Sequence, residues 1–129
     1  MEPHGCCYEA FVKLVRSEPE SAALRRELAG SELLSSALLI VEGRRAARRY
    51  GELADTRARA ALTAITLIPL DQSILDAAAK LDPAELRSLD ALHLATVISL
   101  GQDLQRLYCY DARLTSAALA LGIEVSQPH

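Results

Sequence analysis

The 129-residue sequence predicts a three-layer α/β/α domain with a short, mainly parallel central sheet. Stretches rich in Ala, Leu and Arg each end in a glycine, as helices commonly do, at Gly30, Gly51, Gly101 and Gly122. Short apolar runs of strand length lie between these stretches. Because strands that alternate with helices form parallel sheets covered on both faces, we expect one domain over residues 1–129.

The helices are predicted from signals at their two ends. They cover about 17–29, 36–50, 53–62, 72–81, 83–100 and 112–121. Ser36 is expected to cap the second helix. Asp82-Pro83-Ala84-Glu85 has the order of a cap, a first-turn proline and an acidic third position, so it predicts the start of the fifth helix.

The strands are predicted from apolar runs. The clearest is 65–70, in which Pro69 must lie at a strand end or on an edge strand because it lacks an N–H donor. Residues 107–110 and 123–125 also have strand character. The run at 33–35 is weaker, and 5–8 has a poor composition for a strand.

Composition restricts the class of protein. Half of the residues are hydrophobic but only 4% are aromatic, so the core must be aliphatic, and the net charge of −3 gives no bulk attraction to nucleic acid. An odd number of cysteines argues against a disulfide framework. The sequence shows no apolar run of about 18 residues. It also shows no signal-peptide pattern, so we expect a cytoplasmic protein without a membrane span.

Three of the seventeen acidic residues lie in apolar surroundings. Glu42 interrupts an apolar run, Asp90 does the same, and Asp111 follows a predicted strand. A carboxylate in such a place needs a compensating charge. Each has an ordinary alternative: Asp111 as a helix N-cap, Glu42 paired with Arg45 or Arg16, and Asp90 paired with a cation.

Taken together, the acidic trio (Glu42, Asp90 and Asp111) predicts a site for a hard divalent cation. Asp111 lies at the carboxyl end of a strand, where parallel α/β sheets form their sites. Carboxylate oxygens suit Mg²⁺ or Mn²⁺. Such an ion polarises a phosphoryl oxygen and activates water, so no protein nucleophile is needed. The sequence contains no nucleophile elbow, phosphate-binding loop or dinucleotide fingerprint.

Several arginines lie on or close to the predicted helix that carries Glu42. Arg45, Ala46 and Arg49 follow Glu42 at i+3, i+4 and i+7, hence on one helix face. Further arginines lie close by in sequence, at Arg44, Arg48, Arg57 and Arg59. This row could track phosphates, or it could be a salt-bridged surface with Glu52 and Asp55. His93, one turn after Asp90, is either a structural histidine or a group that orients a water molecule.

The sequence resembles the PIN-domain ribonucleases, specifically the VapC toxins of type II toxin–antitoxin systems. The match runs over nearly the whole chain, and its best parts are residues 10–20, 35–42, 87–96 and 110–114. The resemblance implies an α/β/α domain, a Mg²⁺-dependent endoribonuclease, a homodimer and a VapB-like antitoxin. It also implies catalytic and metal-binding roles for Glu42, Asp90 and Asp111.

One position departs from the family pattern. Relatives have an Asp at the end of the first strand, and aligning on Ala10-Phe11-Val12-Lys13 places Cys7 there. Three interpretations stay open. In the first, the protein is a catalytically impaired PIN fold that binds RNA or an antitoxin without cutting. In the second, Glu9 substitutes for the missing Asp. In the third, Cys7, Cys109 and His4 change the metal preference towards zinc.

An antitoxin could reach this chain in two ways. An arginine from such a partner would be attracted strongly to a carboxylate cluster without metal. Apolar side chains near the amino terminus could form a groove for an amphipathic segment, at Phe11, Leu14, Val15 and Leu24. Core packing explains the same four residues equally well.

Overall fold

The computed structural model describes residues 3–6, 8–104 and 106–129, with only the backbone at residues 3, 6, 8, 9 and 102. The described strands are β1 Pro3–Cys6, β2 Glu32–Ser36, β3 Ile65–Ile68, β4 Leu107–Tyr108 and β5 Val125–Ser126. The described helices are α1 Tyr8–Val15, α2 Ser21–Leu28, α3 Leu39–Arg48, α4 Glu52–Leu62, α5 Gln72–Ala79, α6 Ser88–Leu100 and α7 Ala112–Ala120. A short 3₁₀ turn, Gly101–Asp103, follows α6.

The five strands form one parallel sheet in the order β3-β2-β1-β4-β5. The chain first builds outward from β1 through β2 to β3, and then returns to place β4 on the other side of β1. The direction of winding therefore changes between β1 and β4. In open α/β sheets, the crevice at the carboxyl ends of the strands at such a point is where ligands bind.

The helices pack in two groups around the sheet. On one side α1 contacts α2, α3 and α4, while α5 packs against α6, which also contacts β2. The main core is aliphatic apart from Phe11 and Tyr108, and a smaller cluster joins α5 and α6. This arrangement confirms the predicted three-layer α/β/α fold with a parallel central sheet. No helix in the described part of the chain is long and apolar enough to cross a membrane.

The glycine signals are confirmed. The four glycines that follow predicted helices all have positive φ, between 56° and 104°. Pro69 lies directly after β3, an edge strand of the sheet, as a residue without an N–H donor must. Gly43 is different, because an added Cβ would lie 2.8 Å from two carbons of the Phe11 ring. This close approach lets α3 pack directly on α1.

Two predicted helix starts are wrong. Ser36 ends β2 rather than capping α3, whose N-cap is Leu38 without a side-chain hydrogen bond. The α6 helix begins at Ser88 rather than at position 83, after an extended Arg87. Pairing of β2 with β3 carries the strand through Ser36. Local capping signals were therefore overridden by tertiary structure.

The predicted apolar groove near the amino terminus is also wrong. Phe11 and Leu24 are fully buried and Val15 is 4% exposed, so these side chains belong to the core. Leu14 is partly buried against the same core. Core packing is therefore the correct explanation, and these residues are not available to a partner.

Candidate metal centre

The acidic trio is positioned by the amino-terminal ends of three helices. Glu42 lies in the first turn of α3, Asp90 lies in the first turn of α6, and Asp111 is the N-cap of α7. The unpaired N–H groups at such ends carry partial positive charge, which stabilises carboxylates there. The fold can therefore hold three acids close to its core at a tolerable cost.

These helix ends converge on the carboxyl edge of the sheet. The α3 helix begins shortly after β2, and Asp111 lies three residues after the last residue of β4. β1 runs between these two strands. The three acids therefore belong to the edge at which the winding of the sheet changes direction.

The pKa of Asp90 reflects both its burial and the charges of the other two acids. Its pKa is raised, first because burial disfavours the charged form, and then because the negative charge of Asp111 acts on it. His93 and Arg87 oppose this shift, while Glu42 adds to it. The carboxylates of Glu42 and Asp111 are thus both close enough to repel that of Asp90.

Asp111 has a structural role as well. Its Oδ1 accepts hydrogen bonds from the backbone N–H groups of Arg113, at 2.8 Å, and Leu114, at 3.4 Å. Asp111 is therefore an N-cap, as one of the alternatives from the sequence predicts. Both bonds converge on one oxygen, so the cap does not exclude a cation at the other.

Glu42 is held by a histidine. Its Oε1 is hydrogen-bonded to Nε2 of His93, and Nδ1 of that ring lies 2.9 Å from the Ser36 hydroxyl. Glu42 therefore has a different partner from the arginines considered from the sequence. Arg16 instead pairs with Glu18 and lies over the Tyr50 ring.

The trio fits a hard divalent cation in donor type and in charge. All three donors are carboxylates, and the repulsion that raises the Asp90 pKa is what a cation would relieve. Within residues 3–6, 8–104 and 106–129, however, no three His, Cys, Asp or Glu side chains are already gathered as a metal centre. The donors therefore lie near one another without a closed coordination sphere.

Within the described part of the chain, the arginine row separates into members with and without a salt-bridge partner. Arg44 and Arg59 both pair with Asp55, at 3.4 and 3.9 Å, as the salt-bridged alternative predicts. The remaining three on α3 and just after it are exposed and line a surface depression of about 320 Å³; we call them the arginine surface: Arg45, Arg48 and Arg49. This surface follows Glu42 along the same helix.

The alternatives for the missing first-strand Asp concern four residues: Cys7, Glu9, Cys109 and His4. Cys7 lies outside the described residues, and so does the side chain of Glu9. Cys109 is fully buried, with its thiol 3.8 Å from the backbone oxygen of Asp111. His4 is 7% exposed and packs edge-on against Tyr108.

Sequence reasoning missed two features of the site. Ser36 was taken as a cap, yet its hydroxyl contacts His93. A second depression, of about 570 Å³, lies beside Asp90 and is lined in part by Arg87 and Arg113. The spacing of His93, one turn after Asp90, indicates that His93 lies near the site. Only the packing of α6 on β2 reveals that Ser36 contacts it.

Comparison with known proteins gives the family. The PIN domain model matches residues 9–120. Ribonuclease VapC46 of Mycobacterium tuberculosis is 48% identical over 120 residues, which cover 92% of this chain and 92% of that protein. Ribonuclease VapC47 of the same species is 37% identical over 125 residues, with 92% of each chain covered.

Solved structures agree on the fold. VapC20 of Mycobacterium tuberculosis, a sarcin-ricin loop cleaving toxin, superposes with a TM-score of 0.75 at 19% identity, covering 96% of this chain and 98% of that one. A chain of a toxin–antitoxin complex from Klebsiella pneumoniae gives 0.71 at 19% identity, with 98% of each chain covered. With the matched family model and the close relatives, this establishes that the chain belongs to the PIN-domain family, among the VapC toxins.

Proposed function

We propose that this protein is a Mg²⁺- or Mn²⁺-dependent endoribonuclease that acts as the toxin of a toxin–antitoxin pair. The observation that carries the proposal is the placement of Glu42, Asp90 and Asp111 at the amino-terminal ends of α3, α6 and α7, beside the point at which the winding of the sheet changes direction. The names of the relatives, Ribonuclease VapC46 and Ribonuclease VapC47, support the same activity. We propose Glu42, Asp90 and Asp111 as the catalytic acids and metal ligands.

Different residues of the chain would bind the divalent ion and the RNA. When bound, the divalent ion neutralises charge on the scissile phosphate and activates water for attack. The acidic trio would hold that ion, with Asp111 fixed by its cap and Glu42 fixed by His93. The arginine surface would bind phosphates of the RNA beside the site, because guanidinium groups bind phosphate oxygens at two points.

The test is a cleavage assay on a panel of structured RNAs with Mg²⁺ or Mn²⁺. The unmodified chain should cut and Asp90→Ala should not, whereas Asp76→Ala, which removes an exposed acid on α5, should cut as the unmodified chain does. Circular dichroism of each variant checks the fold. Equal cleavage by Asp90→Ala would exclude a catalytic role for this acid.

A second candidate function is favoured by Cys7. If the first-strand Asp is essential, this chain binds RNA or its antitoxin without cutting. The unmodified chain would then bind structured RNA without cleaving it, and Cys7→Asp would restore cleavage. Cys7→Ser is the matched control, because it changes the side chain without adding a carboxylate. Cleavage by the unmodified chain would reject this second function.

We also propose a VapB-like antitoxin, RNA and a second copy of the chain as partners, in the cytoplasm. The structural similarity to a chain of a toxin–antitoxin complex supports the first. The clustered carboxylates favour an antitoxin that inserts an arginine into the metal-free site. Co-expression followed by size-exclusion chromatography with light scattering measures both the complex and the dimer.

A further inference from the structure

We infer that His93 is a positioning residue for Glu42: anchored by Ser36, it fixes the Glu42 carboxylate in the orientation that receives the divalent ion. This inference rests on the proposed function, because it concerns the same site. It adds to that site a residue that is not itself a proposed metal ligand.

A continuous chain of contacts joins the three residues. Ser36 is 2% exposed at the end of β2, and its Oγ lies 2.9 Å from His93 Nδ1. His93 is 7% exposed on α6, and its Nε2 is hydrogen-bonded to Glu42 Oε1 on α3. The His93 imidazole on α6 therefore connects Ser36 of β2 to the Glu42 carboxylate of α3.

The direction of the hydrogen bond between His93 and Glu42 does not depend on the charge of the ring. As a carboxylate, Glu42 can only accept, so Nε2–H of His93 must donate to it. Nδ1 then accepts from the Ser36 hydroxyl when the ring is neutral, or donates to it when the ring is charged. In both forms the same nitrogen holds Glu42.

The hydrogen bond also selects the oxygen that faces the ion. Oε1 is engaged by His93, and in the described part of the chain no hydrogen bond reaches Oε2. The Glu42 side chain is only 15% exposed, so it has little freedom to rotate. Oε2 is therefore the oxygen that would bind the cation, in an orientation set before the ion arrives.

His93 and Asp90 belong to the same helix face. They are three residues apart on α6, so one rigid helix carries both a proposed ligand and the group that orients a second ligand. A histidine needed only to fill the core would require no hydrogen bond to an acid of the site. Partners of metal ligands of this kind change metal affinity or activity about 10- to 100-fold when they are removed.

The experiment measures Mn²⁺ affinity by titration calorimetry and Mn²⁺-dependent thermal stabilisation on the full chain. His93→Leu keeps the volume but removes the donor, and should bind Mn²⁺ at least about tenfold more weakly. His93→Gln retains a side-chain N–H at a similar reach, and should stay within about threefold of the unmodified chain. Ser36→Ala loosens only the ring, so it should fall between the two.

Thr96→Val is the matched control. Thr96 is 2% exposed on the same helix and donates to the backbone oxygen of Leu92, away from the acidic trio. Its removal should cost stability without changing Mn²⁺ affinity. Raising the Mn²⁺ concentration should restore cleavage by His93→Leu, which a purely structural lesion would not allow.

Three results would overturn the inference. The first is that His93→Leu binds Mn²⁺ as tightly as the unmodified chain does. The second is that Thr96→Val loses as much Mn²⁺ affinity as His93→Leu. The third is that His93→Gln binds Mn²⁺ no more tightly than His93→Leu. Absence of Mn²⁺ binding by the unmodified chain would overturn the metal-dependent function as well. The two failures are therefore distinguishable.

Discussion

Asp90, at the start of α6, has a raised pKa because it is partly buried and, second, because the negative charge of Asp111, the N-cap of α7, acts on it. Two acids are thus held near one another by helix ends from different parts of the sequence. Their repulsion destabilises the metal-free fold and is relieved by a cation.

Asp90→Asn should therefore stabilise the metal-free protein at neutral pH. Because the folded-state pKa of Asp90 is raised, the folded state binds more protons than the unfolded state between the ordinary and the raised pKa. The free energy of unfolding thus falls as pH rises through this interval, and the loss persists at pH 7. Urea denaturation in a chelator should show a gain for Asp90→Asn that shrinks as pH falls through this interval.

The exposed Asp76 provides the control for this prediction. Asp76→Asn should leave stability nearly unchanged across the same pH range, because surface substitutions stay within about 0.5 kcal/mol. Added Mn²⁺ should reverse the order of the unmodified chain and Asp90→Asn. A metal-free Asp90→Asn that is less stable at pH 7 would contradict the repulsion described above.

Substitutions of Asp111 should separate its two roles. Asp111→Asn keeps an oxygen that caps α7, since Asn and Asp are equally good N-caps, but it removes the charge. The repulsion with Asp90 is then removed, so stability without metal should equal or exceed that of the unmodified chain, while Mn²⁺ affinity and cleavage fall. Asp111→Ala should lose the cap as well, at a cost of about 1 kcal/mol. If the two variants were equally stable in urea, the cap would contribute nothing.

Gly43→Ala should destabilise the fold. Alanine favours a helix over glycine by about 1 kcal/mol, but overpacking in a core costs about 1–3 kcal/mol. The ring carbons of the fully buried Phe11 lie only 2.8 Å from the added Cβ, so the second effect should prevail by about 1 kcal/mol.

A double-mutant cycle tests this cause. In a Phe11→Leu background the ring is absent, so Gly43→Ala should become neutral or stabilising. Urea denaturation of the four proteins gives the interaction energy between the two positions. A Gly43→Ala cost of the same size in both backgrounds would assign it to something other than the Phe11 ring.

His4→Phe should stabilise the protein by about 1 kcal/mol. Nδ1 of His4 is buried without a hydrogen-bond partner in the described part of the chain, whereas the ring packs edge-on against Tyr108 at 5.3 Å. Phenylalanine keeps the ring contact and removes the unpaired nitrogen. His4→Asn keeps a buried polar group and should give no gain. Thermal denaturation of the metal-free protein compares the two, and a destabilised His4→Phe would indicate that Nδ1 is satisfied in solution.

Much of the fold was predictable because its signals are local. Glycines with positive φ follow the helices, and Pro69 follows an edge strand. Asp111 was correctly predicted as a possible N-cap, because capping depends on residues two and three positions away. The predicted start of α6 at position 83 failed, because a cap signal does not report the packing that sets where a helix begins.

The sequence by itself determined the alternation of strands and helices and predicted the acidic trio that we propose as metal ligands, because hydrophobic periodicity and an acid in an apolar run are properties of short segments. Only the tertiary structure decided that Glu42 is held by His93, which lies 51 positions away along the chain, and that His93 is in turn anchored by Ser36, 57 positions from it. It also decided that Phe11 and Leu24 fill the core instead of a groove. Contacts between distant segments depend on how helices pack on the sheet, and no local pattern encodes that packing.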